Sequence, residues 1–130
     1  DDVESRGLGD VYKRQYLDIL WPEEKQIKDN VLNNNSLIVR LCYKNFKMLF
    51  TGDIEEIAEQ RLLQKYENTE KLTADILKVA HHGSKSSSIA EFLEKVNPRI
   101  ALIGVGKNNK FGHPNAGVLD RLNMLRNKNI

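Results

Sequence analysis

Three times in this chain an apolar, strand-like run stops and a polar segment with possible ligand residues follows at once. Phe46–Phe50 (FKMLF) runs into Thr51-Gly52-Asp53, Asp75–Ala80 (DILKVA) into His81-His82-Gly83-Ser84, and Ile100–Val105 (IALIGV) into a loop that reaches His113. Amphipathic segments at helical spacing separate these events. Short strands alternating with such segments restrict the fold to an α/β arrangement, a mixed sheet with flanking helices. Sheets of that kind gather ligands at the carboxyl ends of their strands, and all three histidines of the chain fall there.

The remaining elements follow from periodicity and breakers. Tyr16–Trp21 (YLDILW) reads as a strand stopped by Pro22, and 23–35 as a polar loop ending in Asn33-Asn34-Asn35. Ser36–Tyr43 (SLIVRLCY) and Phe46–Phe50 read as a hairpin around a two-residue turn, Lys44-Asn45. Ile54, Ile57, Ala58 and Leu62 mark a helix, with Asp53 and Glu56 at capping-box spacing. Ser88 and Glu91 offer a second capping box, for a helix with the stripe Ile89, Phe92, Leu93, Val96, followed by Pro98. Val118, Leu122 and Leu125 mark the last helix, and Asn127-Lys128-Asn129 reads as a turn leading into a strand at Ile130. The expected order is β, ββ, α, β, α, β, α. Residues 1–15 show neither periodicity and are expected to be a disordered or non-native leader, with 16–130 as part of one domain.

Composition narrows the function classes little. A length of 130 residues, 40% hydrophobic and 29% charged, suits one globular core. A net charge of +2 makes no case for nucleic acid by itself, and there is no basic stripe with interleaved aromatics. Lys78, Lys85, Lys107 and Lys110 are the cations near the expected site face. The single cysteine, Cys42, reads as a buried strand thiol and says nothing about redox compartment. No apolar stretch approaches the roughly 20 residues that span a bilayer.

Aspartate and histidines converging on strand ends suit a divalent metal such as zinc, manganese or iron. Each piece also has a plainer reading. Asp53 could cap the following helix, His81-His82 could form an ordinary polar turn, and Ser84–Ser88 could be a solvated loop plus an N-cap. His113 and Lys107 could be solvated loop residues. No His–Asp relay accompanies Ser84, so it does not read as a nucleophile. Spacing alone supports a metal site and no more.

The motifs in combination say more. LFTGDIEEIAEQRLL, then ADILKVAHHGSKSSS, then VNPRIALIGVGKNNKFGHPN resemble the later motifs of metallo-β-lactamase-fold hydrolases of the ComEC type, over about Ser36–Leu125. The resemblance implies an αββα sandwich, of which this chain holds the C-terminal half only, with a site for two divalent metal ions, zinc or manganese. It implies Asp53 as a bridging ligand and one of the two adjacent histidines as a terminal ligand: His82, with His81 in the substrate pocket, or the reverse. It implies His113 near the scissile phosphate, Asn109 shaping that loop, and Ser84 and Lys107 contacting substrate. The implied reaction is in-line attack of metal-activated water on phosphorus.

The chain departs from the family pattern at one point. The family's HxHxDH motif is absent, so the expected metal site is incomplete, the isolated chain is expected to be inactive, and the other half of the domain becomes an expected partner. Losing that half would expose an apolar sheet face. A parent of the ComEC type would be a cell-membrane protein in DNA uptake, with this domain on the outer face, attached through segments absent here and acting on single-stranded DNA or another phosphodiester. Two other readings stand beside it: a free-standing hydrolase of a small phosphorylated or cell-wall substrate, cytoplasmic or secreted, and a non-catalytic binding or scaffolding domain.

Overall fold

The structure is a computed structural model that describes residues 15–108, 110 and 112–128. Its centre is a five-stranded mixed sheet in the order β1 (Gln15–Trp21), β2 (Ile38–Tyr43), β3 (Phe46–Phe50), β4 (Ile76–Lys78), β5 (Ile100–Leu102). β1, β2 and β3 are antiparallel neighbours, and β3, β4 and β5 are parallel. The hairpin closes at Tyr43↔Phe46 across Lys44-Asn45, as expected, with Lys44 in the left-handed region (φ 54°). Parallel pairing requires crossovers, which α2 (Glu56–Lys65) and α3 (Ala90–Val96) provide. A short helix α1 (Val31–Asn34) precedes β2, and α4 (Ala116–Lys128) closes the described chain.

Registers fix which residues share a face. Asp18 faces Arg40, Arg40 faces Leu49, Leu49 faces Leu77 and Leu77 faces Ala101, forming one row across the sheet. The helices pack on this side. α2 buries Ala58 and Leu62, α3 buries Phe92, Leu93 and Val96, and α4 buries Val118 and Leu125, all in one cluster with Leu49 and Leu77. Cys42 is fully buried on this face. The α3 stripe is the one its spacing predicts, and the helix ends at Asn97 in the left-handed region (φ 51°), just before Pro98.

The opposite row is as apolar but is not covered. It contains Leu17, Ile19, Leu41, Met48, Ile76 and Ile100. Ile19 is 57% and Ile100 52% exposed, so among the described residues no layer lies on this face. Helices on one face and an open apolar second face are one α-layer and one β-layer of a sandwich, the half-fold the motifs imply.

Several local expectations change. β4 and β5 are three residues each rather than six, because the backbone turns away from the ladder after Lys78 and Leu102. The asparagine segment expected as loop contains α1, held by the buried Trp21 indole N–H donating to the Asn34 carbonyl at 2.8 Å. Gln15, expected in the leader, opens β1; the rest of the leader lies outside the described residues, as does the strand expected at Ile130.

Neither capping box forms. The N-caps are Glu55 and Ile89, and neither makes a capping hydrogen bond from its own side chain to its helix. Distant acceptors have replaced the local ones: the Glu55 N–H donates to Asn34 Oδ1 at 2.9 Å, and the N–H groups of Ser88 and Ile89 donate to Glu59.

Candidate functional site

Because β3, β4 and β5 are parallel, their carboxyl ends open on one edge, and the three polar loops meet there. Thr51 leaves β3 fully buried, and its hydroxyl donates to the Lys78 carbonyl at 2.5 Å. Gly52 follows at φ +54°, and a Cβ there would lie 2.6 Å from Ser36 Cβ. Only glycine fits both the conformation and the space. The Asp53 N–H then donates to Ser36 Oγ at 3.2 Å. Asp53 therefore does not cap α2; it stands half-buried in the turn ahead of the helix.

The second loop is strained. His81 (φ 53°), His82 (φ 56°) and Gly83 (φ 77°) lie consecutively in the left-handed region. That conformation costs a non-glycine residue roughly 1–2 kcal/mol. The surroundings hold it there. The His81 N–H donates to the Gly52 carbonyl at 2.9 Å, joining the second loop to the first. The Asn115 N–H donates to the Gly83 carbonyl at 2.8 Å, joining the second loop to the third.

The two histidines are held differently. His82 Nδ1 lies 2.5 Å from the Gly104 carbonyl oxygen. A carbonyl only accepts, so Nδ1 carries a proton and, in the neutral ring, Nε2 holds the lone pair, an arrangement that orients a histidine as a ligand or base. His81 Nδ1 is buried and has no partner among the described residues. A buried unpaired ring nitrogen is costly unless a further group meets it. The His113 ring lies 5.9 Å from that of His81 and 6.4 Å from that of His82, so all three imidazoles share one small volume.

Other predicted residues are less central. Ser84 is 7% exposed, and its hydroxyl bonds that of Ser86 at 3.0 Å. Ser87 and Ser88 are also buried, so the serine run is not the solvated loop its composition suggests. Lys107 is exposed on the third loop, and Asn109 lies outside the described residues. Ser36 and Asn34 support the first loop from positions with no motif, and Glu55, inside the LFTGDIEEIAEQRLL run but given no role there, supports the second. Glu55 accepts from Ser86 Oγ at 3.0 Å. Burial would raise its carboxyl, but hydrogen bonds from Asn30, Ser86 and Asn34 and the positive character of His81 outweigh burial and hold it below the usual value.

These residues do not complete a metal site. No group of three or more His, Cys, Asp or Glu side chains among the described residues is placed to hold a metal ion, and a structural or catalytic zinc needs at least three protein ligands. Among the described residues the second and third loops bring three imidazoles together, and Asp53 stands in the first loop, whose Gly52 carbonyl accepts the His81 N–H.

Comparison with known proteins agrees with the motifs. The metallo-beta-lactamase superfamily model matches residues 10–107. The chain is 40% identical to ComE operon protein 3 of Bacillus subtilis over 92% of its own length, but spans only 15% of that protein. It is 32% identical to Competence protein ComA of Neisseria gonorrhoeae over 81% of its length, again 15% of the relative. It is 33% identical to Recombination protein 2 of Haemophilus influenzae over 72% of its length and 11% of the relative. With three loop motifs in order, a one-sided mixed sheet and these relatives, the chain belongs to the metallo-β-lactamase superfamily and is of the ComEC competence-protein type.

Proposed function

We propose that this chain is part of a hydrolase domain serving DNA uptake, which cleaves phosphodiester bonds in single-stranded DNA with two divalent metal ions, zinc or manganese. The observation that carries the reading is the His82–Gly104 hydrogen bond, which leaves Nε2 of the neutral ring as the nitrogen open to a metal, on a ring 6.4 Å from that of His113. In this reading Asp53 and His82 are ligands. His81 and His113 face substrate, Asn109 and Lys107 belong to the substrate-side loop, and Ser84 acts from beneath by holding the second loop.

The remaining ligands come from outside the described residues, and so does the layer that covers the open sheet face. The apolar row from Ile19 to Ile100 suits a second sheet of the same domain. No described helix is long and apolar enough to cross a membrane, so attachment of a parent protein to the cell membrane, with this domain on the outer face, would use other segments.

The test uses the parent protein with Asp53→Ala and His82→Ala. Bound metal is measured, and cleavage of single-stranded DNA and of a chromogenic phosphodiester is assayed with and without manganese. Both variants are expected to lose metal and cleavage together. Unchanged metal content and activity in both would sink the assignment, while cleavage of the small diester without DNA cleavage would point to a small-molecule hydrolase.

A further inference from the structure

The helices that follow the three site loops meet again at a buried point behind them. α2 follows Asp53, α3 follows His81-His82, and α4 follows His113. Glu59 on α2 is fully buried; its Oε2 accepts the Ser88 N–H at 2.6 Å and its Oε1 the Ile89 N–H at 3.0 Å, at the head of α3. From α4, Arg121 donates through Nε to the Ser88 carbonyl at 2.7 Å and through Nη2 to the Ser87 carbonyl at 3.2 Å. The same segment is tied to the start of α2, since the Ser87 hydroxyl donates to the Ile54 carbonyl at 2.6 Å and the Glu56 N–H to the Ser86 carbonyl at 2.9 Å. Ser88 is held at φ 63° between these partners.

A local cap would satisfy the head of α3 without burying a charge-bearing group. Ser88 and Glu91 have the spacing for one and do not use it. A carboxyl group buried in its place is costly unless it is bonded, and here it bonds two peptide units that Arg121 grips from the other side. The node thus links three helices through Ser87, Ser88 and Ile89, and each helix carries a site loop at its amino end.

We propose that Glu59 and Arg121 are positioning residues that set the relative placement of Asp53, His82 and His113 from behind, through the head of α3. The proposal rests on the site reading above only for what the three loops do. The coupling between node and loops is a property of the folded chain and can be measured without metal or substrate.

The experiment follows histidine ring and backbone amide NMR signals in the folded chain, for Glu59→Ala, Glu59→Gln, Arg121→Ala and Arg121→Lys. Leu72→Ala serves as the comparison, a core change outside the node. Glu59→Ala and Arg121→Ala are expected to move the His81, His82 and His113 ring signals and the Gly52 amide by more than a linewidth. Glu59→Gln and Arg121→Lys, which keep part of the bonding, are expected to move them less, and Leu72→Ala to leave them in place. Should Glu59→Ala fail to fold, the Glu59→Gln and Arg121 variants carry the test. Changes confined to 86–92 with the rings unmoved would overturn the proposal, as would equal ring shifts in Leu72→Ala. Neither result would bear on whether Asp53 and His82 bind metal.

Discussion

Pro114 occupies the space that a side chain on Gly83 would need. A Cβ built on Gly83 lies 2.7 Å from Pro114 Cβ and 3.0 Å from its Cα, and Gly83 sits at φ +77°. Two of the three site loops therefore touch where one has no side chain. Gly83→Ala adds backbone strain and a clash with a ring that cannot swing aside. It is expected to cost about 2–4 kcal/mol of stability, read as a lower urea midpoint. A variant within about 0.5 kcal/mol of the parent would mean the loops can separate without cost.

Asp18 and Arg40 form a buried ion pair at 3.0 Å, each side chain 7% exposed. Arg40 Nη1 also donates to the carbonyls of Glu70 at 2.7 Å and Thr73 at 3.2 Å. Removing one partner strands the other in the core. Arg40→Met is expected to cost about 3–5 kcal/mol, and adding Asp18→Leu to recover much of that loss. Additive losses in a double-mutant cycle would contradict the pairing.

Glu59 makes stability depend on pH in an unusual direction. Burial pushes its carboxyl up from 4.5 to about 7, against the lowering effect of the Ile89 and Ser88 N–H groups and Arg121, with Glu56 adding a little in the same direction as burial. A folded-state value above the unfolded one means the folded chain holds the proton longer. The stabilising contribution is therefore complete below about 4.5 and is lost as pH rises to about 7. Relative to Glu59→Gln, the parent chain is expected to lose on the order of 3 kcal/mol across that interval. Parallel pH profiles for the two proteins would contradict the assignment.

The two faces of the sheet should respond unequally to substitution. Leu77 on the helix-covered face is 1% exposed, and Leu77→Ala is expected to cost about 2–5 kcal/mol. Ile19 and Ile100 on the open face are 57% and 52% exposed. Ile19→Thr with Ile100→Thr is expected to cost less than about 1 kcal/mol and to reduce self-association, read by sedimentation velocity. Equal costs on both faces would show that the open face is buried in solution.

The legible part of this chain was the part governed by short-range patterning. The apolar runs of β2 and β3, the α3 stripe and the polar breaks at Asp53, His81 and His113 announce themselves, because period and polarity are properties of neighbours. The caps were misread for the complementary reason. Asp53 with Glu56, and Ser88 with Glu91, satisfy an i, i+3 rule, yet the Asp53 and Glu56 N–H groups bond Ser36 Oγ and the Ser86 carbonyl, and the Ser88 N–H bonds Glu59. A remote acceptor displaces a local one when tertiary packing delivers it, and no window of adjacent residues contains that information. The node of Glu59 and Arg121 was hidden likewise: a charged residue within the periodic run of α2 looks like the solvated side of a helix. The left-handed backbone at His81 and His82 left no sequence signal, since only Gly83 carries the residue type that the conformation favours.

The two adjacent histidines, which the motif leaves interchangeable, are held differently in the structure. His82 donates from Nδ1 to the Gly104 carbonyl, while His81 Nδ1 is buried with no partner among the described residues. At a pH where the rings are neutral, long-range 1H–15N spectra are expected to show His82 as the Nδ1–H tautomer, its Nδ1 proton slow to exchange. Shifting Gly104 would be needed to release it. On adding zinc to the parent protein, the His82 Nε2 signal is expected to move, with the Nδ1 proton retained. An Nε2–H tautomer for His82 in the metal-free protein, or a zinc-induced change at His81 Nε2 alone, would reverse the assignment and make His81 the ligand of the pair.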